Sequence, residues 1–111
     1  MKVTIKIYLN DGEDHFYGFR NKFANNPELT MVHAFELETP VPNVHAVLQW
    51  CFVEFNIGSG EHAKAYREKM LRSLSVGDVV TVGESAWACE SVSWVPITTE
   101  ELNNAIIWQD A

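Results

Sequence analysis

Four histidines and two cysteines carry the most chemical reach in this sequence. Their spacing favours no metal or nucleophilic chemistry. His15, His33, His45 and His62 have no partner two to four residues away that completes a recognised metal pattern. His33 falls on the apolar face of a predicted strand and reads as a hydrogen-bonded core or boundary residue. Cys51 and Cys89 lie in apolar stretches, where reduced thiols behave as small buried hydrophobes. Two further segments invite a ligand and fall short. Asp11-Gly12-Glu13-Asp14 starts like a calcium loop but lacks the alternating oxygens and the closing Glu, which leaves a solvated turn. Gly58-Ser59-Gly60 stands before a helix, where an anion can bind, yet it lacks the length and the Lys of a phosphate-binding loop. No serine has the context of a nucleophile elbow. Cys–His catalysis depends on pairing in space, and nothing in the spacing favours it. The expectation is a protein that is not an enzyme, with no catalytic residue, metal or cofactor.

One polar segment stands apart. Arg67, Arg72, Ser73, Ser75 and Asp78 gather around Gly77, with Tyr66 just upstream. Gly77 permits a bend or a close backbone approach. Asp78 can receive turn N–H groups or pair with Arg72 or Arg67. In one reading these residues form a hydrogen-bonded corner between a helix and a hairpin. In the other they form a recognition surface for a protein or an anionic ligand. The expected binding residues are Tyr66, Arg67, Arg72, Ser73, Ser75 and Asp78, joined by Trp108 as an aromatic anchor.

Periodicity supplies the elements that must position them. Val3, Ile5, Ile7 and Leu9 alternate with polar residues, so 3–9 is a half-buried strand. Asn10-Asp11-Gly12 is a turn signal. A second strand over 31–37 places Met31, His33, Phe35 and Leu37 on one face. Asn43 caps a helix over 43–55, with Val44, Val47, Leu48, Cys51, Phe52 and Phe55 as its core stripe. Trp50 and Val53 lie off that stripe. A shorter helix over 61–71 puts Ala63, Tyr66 and Met70 on one side. Strands over 74–82 and 86–94 form a hairpin around Gly83-Glu84. Thr98 and Glu101 make a capping box for a C-terminal helix, and Ile97 can staple onto Leu102. The expected fold is α+β: a small, mostly antiparallel sheet with an amphipathic helix packed across it, a second short helix and a C-terminal helix.

Composition agrees with one domain spanning 1–111. The chain is 47% hydrophobic and 21% charged, with thirteen aromatic residues, four of them Trp, an ordinary globular balance. No apolar run approaches the roughly 18 residues of a membrane span, and no apolar block of a signal peptide follows Met1. The net charge is −7, and residues 73–111 hold six acids without a Lys or Arg. Such a chain is repelled by phosphate backbones unless a local basic patch overrides the repulsion. The candidate patch is Lys64, Arg67, Lys69 and Arg72.

Part of the chain also looks familiar. Phe55-Asn56-Ile57-Gly58, Ala65-Tyr66-Arg67, the run from Arg72 through Ser73-Leu74-Ser75-Val76-Gly77-Asp78-Val79 to Val80, and Cys89-Glu90-Ser91-Val92-Ser93-Trp94 occur in this order. Over residues 44–96 the chain resembles small uncharacterised proteins of actinobacteria and their phages, and its hairpin is similar to the YodL-like domain. Met70-Leu71 stands where the pattern expects Gly-Asn, and Ser93 where it expects Gly. The resemblance implies a phage or mobile-element context, and, without an export signal, the expected location is the cytoplasm of a bacterial host. The resemblance brings no reaction, substrate or cofactor.

The expected function is therefore that of a non-enzymatic accessory protein that binds a host protein and modulates host physiology or defence. Its acidic 73–111 stretch and its off-stripe aromatics, Trp50 and Trp108, suit such a partner. A homodimer is compatible with this reading. The alternative is a small nucleic-acid-binding module working through Lys64, Arg67, Lys69 and Arg72.

Overall fold

The alternation of Val3, Ile5, Ile7 and Leu9 with polar residues produces β1 (Lys2–Asn10). On one side β1 pairs with β2 (Leu29–Glu38), and on the other with β3 (Val79–Val82). β4 (Ser85–Cys89) and β5 (Trp94–Ile97) extend the sheet, giving five antiparallel strands in the order β2-β1-β3-β4-β5. With α1 (Val44–Asn56), α2 (Glu61–Glu68) and α3 (Thr99–Ala105) the fold is α+β. The computed structural model describes residues 2–12, 18–20, 27–38, 43–58, 60–91 and 93–106. No helix among them is long and apolar enough to cross a membrane.

Each face of the sheet has its own core. Ile5, Ile7, Leu9, Val80 and Val82 pack against Val47, Leu48, Cys51 and Phe55 of α1 and Tyr66 of α2. Tyr8, Val79, Ala86, Ala88 and Ile97 form a second cluster with Phe19, Leu29 and Ala105, against which Leu102 of α3 packs. Central β3 is buried throughout because it feeds both clusters. α1 starts as the sequence implies, with the Asn43 side chain accepting the Ala46 N–H at 3.1 Å. The Thr98–Glu101 capping box is also formed. Val44 and Phe52, expected inward with the rest of the stripe, are half-buried at its margin.

Three expected boundaries and one register shift, each for a physical reason. The strand over 74–82 begins only at Val79, because 72–78 turns around the Asp78 carboxylate instead of extending. The strand over 86–94 is two strands. A turn closed by the Glu90 N–H to the Ser93 carbonyl separates β4 from β5, and Pro96 is tolerated because β5 lies at the sheet edge. In β2 the register slips between the pairs Ile7↔His33 and Tyr8↔Met31. The extra residue, Val32, is a bulge. It moves Met31 off the face of His33, Phe35 and Leu37 and leaves Met31 48% exposed.

The fourth shift is at α2, which stops at Glu68 rather than continuing to 71. Met70, expected to face inward with Ala63 and Tyr66, has a φ of 58° and is 93% exposed. It occupies the left-handed position at which helices commonly end on glycine. A left-handed backbone costs an L-residue about 1–2 kcal/mol, and glycine's greater freedom when unfolded offsets part of any gain. Met70→Gly is expected to stabilise the protein by about 0.5–1 kcal/mol. The check is a higher urea midpoint at unchanged slope.

Candidate functional site

The polar segment folds into a corner centred on Asp78, which has no exposed surface. Its Oδ1 accepts from the Asn10 N–H at 2.8 Å and Arg72 Nη2 at 2.7 Å. Its Oδ2 accepts from the Ser75 N–H at 2.8 Å and Arg72 Nη1 at 2.7 Å. Arg72 thus grips the carboxylate with both terminal nitrogens, the strongest geometry for this pair. The same guanidinium donates to the Ser75 hydroxyl at 3.2 Å, the Ser73 carbonyl at 3.1 Å and the Asn10 carbonyl at 2.9 Å. Its bond to Asp78 raises the Arg72 pKa above its ordinary value. Gly77, at a φ of 94°, lets the backbone turn here, and its N–H donates to the Cys89 carbonyl at 2.8 Å.

Two other residues complete the corner. The Tyr66 hydroxyl donates to the Arg72 carbonyl at 2.7 Å, tying α2 to the turn. Burial, then the charge of Asp78, pushes its phenol up to about 12, so it stays a donor. Asn10 was not among the expected site residues. Its side chain donates to the Gly77 carbonyl at 3.0 Å and accepts the N–H groups of Gly12 at 2.8 Å and Glu28 at 3.1 Å. The only sequence signal for it was its place at a strand end before Asp11-Gly12. An asparagine there reads as a local turn residue, and its bond to Gly77 spans the chain.

Of the expected residues, the structure brings Tyr66, Arg72, Ser75 and Asp78 together. Ser73 contributes its carbonyl. Arg67 points elsewhere and donates to the Gly58 carbonyl, so the pairing with Asp78 belongs to Arg72 and not to Arg67. Trp108 lies outside the described residues. Both oxygens of the buried carboxylate are engaged inside the chain, which makes the corner a fastening between β1, α2 and the β3–β4 hairpin.

Three of the four residues of the basic patch make contacts within the chain, and Lys64 is exposed. Arg72 holds Asp78, Arg67 holds Gly58, and Lys69 donates to the Val32 carbonyl at 3.2 Å and to His33 Nδ1 at 2.8 Å. Lys69 therefore satisfies the bulge in β2. Because the ammonium is the donor, His33 carries its proton on Nε2. Among the described residues that atom has no hydrogen-bond partner. The ring stands edge-on to Phe55 and Tyr66, with centroids 5.7 and 5.8 Å away, where an N–H can face π density. Burial first, then Lys69 and His62, lowers the His33 pKa below 6.5. The folded protein therefore binds fewer protons here than the unfolded chain. Stability is expected to be full above about pH 6.5 and to fall as pH drops below it. His33→Phe should flatten this dependence, read as urea midpoints at pH 7.5 and 5.5.

Beside His33, β2 and the helices expose aromatic surface. Phe35 meets Trp50 of α1 at 6.0 Å and His62 of α2 at 4.4 Å, and Trp50 meets His62 at 5.8 Å. All three are half-buried. Val53 (43% exposed) and Ile57 (80% exposed) follow Trp50 at helical spacing. Of the off-stripe residues of α1, Trp50 thus packs half-buried against the core cluster while Val53 is exposed.

On the other flank of α1, Gln49 and Phe52 line a cavity of about 220 Å³ with Cys89, Glu90, Ser91, Ser93 and Trp94. Its thiol is not activated: burial, then Asp78 and Glu90, pushes Cys89 up to about 11, and burial pushes Cys51 up to about 12. Both cysteines are free and buried. Among the described residues no group of three His, Cys, Asp or Glu side chains could hold a metal ion. No family model, curated protein or solved structure matches the chain.

Proposed function

We propose that this is a non-enzymatic protein that binds a host protein, in the phage or mobile-element context implied by its resemblance to YodL-like proteins. The observation that carries the reading is the patch of Trp50, Phe35 and His62 with exposed Val53 and Ile57. Tryptophan and other large side chains that can be desolvated on contact supply most of the affinity at protein interfaces. A net charge of −7 adds attraction toward a basic partner. The nucleic-acid alternative has less support, because Arg67, Lys69 and Arg72 each make contacts within the chain.

The test is affinity capture from a bacterial host lysate with the wild type and with a Val53→Glu, Ile57→Glu double variant. Both positions are exposed, so the melting temperature should hold while a captured protein is lost. Equal capture by the two proteins would refute the patch as the binding face. Recovery of nucleic acid, with binding that weakens steeply with salt, would establish the alternative.

A further inference from the structure

β2 is an edge strand of the sheet. Its outer side starts covered. Leu29 forms an isolated parallel bridge with Ile106, and the Val32 carbonyl accepts from Lys69. Beyond Val32, no strand among the described residues pairs with that side. Over 34–38 the strand presents two different faces. Phe35 and Leu37 are half-buried on the helix-covered face, with Phe35 against Trp50. Ala34, Glu36 and Glu38 are exposed on the other. Within the sheet Lys2 stands opposite Glu38 and Lys6 opposite Ala34, both diagonal to Glu36, whose direct partner is the uncharged Thr4.

The geometry points to 34–38 as an acceptor site for an added strand, supplied by a partner segment that alternates apolar and basic residues. This rests on the reading of the Trp50 side as the protein-binding face, and it specifies what the partner presents there. A strand laid along an open edge makes main-chain hydrogen bonds, and its alternate side chains meet those of the host strand. Side chains beside Phe35 and Leu37 continue the apolar surface toward Trp50. Those beside Glu36 face its carboxylate, so lysine or arginine is favoured there. Five residues of strand give about 16 Å of pairing. A second copy of this chain is a poor occupant, because two β2 edges brought together bring their own Glu36 and Glu38 together, on chains that each carry −7.

The probe is an acetylated seven-residue peptide alternating valine and lysine. Its control alternates valine and glutamate. The wild type is expected to bind the lysine peptide at least about tenfold more tightly, with backbone amide shifts concentrated at 34–38. Glu36→Lys should weaken that binding about fivefold, the scale of one cross-strand charge pair. Glu100→Lys changes the net charge equally and should leave binding as it was. Equal binding of both peptides, equal weakening by Glu36→Lys and Glu100→Lys, or shifts centred away from 34–38 would overturn the proposal. So would wild-type protein that dimerises through 34–38 and excludes the peptide. If the peptide fails while capture of a protein still depends on Val53 and Ile57, strand addition is wrong and the protein-binding reading stands. If capture fails while the lysine peptide binds at 34–38, the edge accepts basic strands and the host-protein reading falls.

Discussion

Asp78→Asn lowers the unfolding free energy by about 3–5 kcal/mol, the range for breaking a buried charge pair from one side. The amide keeps the volume of Asp78 but turns an NH2 group toward donors that the carboxylate satisfied: the N–H groups of Asn10 and Ser75 and the Arg72 guanidinium. One part of this loss is specific to the pair. Arg72→Met removes the other partner, and the double variant should be less damaged than the two single losses predict, by about 1–3 kcal/mol. Arg67→Met, paired with the same Asp78 change, should show no such coupling, since Arg67 contacts Gly58 instead. Additive losses for Arg72 and Asp78 in urea denaturation would refute the pairing.

Leu48→Ala has the second largest effect, about 2–5 kcal/mol. Leu48 has no exposed surface and lies in the cluster between α1 and the sheet. Its truncation leaves a void that the surrounding Ile, Val and Phe side chains fill only in part. Phe52→Ala provides the contrast. Phe52 belongs to the same helix stripe but is half-buried at the rim of the cavity beside Trp94, so its loss should cost only about 1–2 kcal/mol. Equal costs at the two positions would contradict the orientation of α1.

The sequence was a sufficient guide where its patterns are local. Alternation in 3–9, the Val47–Leu48–Cys51–Phe55 part of the stripe on α1 and the Thr98–Glu101 box are local patterns whose meaning tertiary structure left unchanged. An ion pair at Asp78 was also legible, because a charged cluster around a glycine has few partners to choose from, and the structure decides for Arg72 over Arg67. What stayed hidden depended on distant residues. The chain around 74–78 alternates like a strand, but the Asp78 carboxylate draws the Ser75 N–H back onto itself and the backbone turns. Asn10 bonds Gly77 from the far end of β1, a contact that no spacing reveals. The Val32 bulge breaks the face expected for Met31, and it is held by Lys69 from a different element. The aromatic patch was half visible: Trp50 and Val53 fell off the stripe, and only the packing of α2 on β2 brought Phe35 and His62 beside them.

Whether the polar corner is a fastening of the fold or an open binding surface is decided most directly by native-state amide hydrogen exchange in the unmodified protein. The Asn10 and Ser75 N–H groups both end on the Asp78 carboxylate. As parts of a structural corner they should exchange only through large-scale opening, with protection close to that of the β3 amides and the global unfolding free energy. Exchange of either amide at the rate of an exposed loop, while β3 stays protected, would contradict the account.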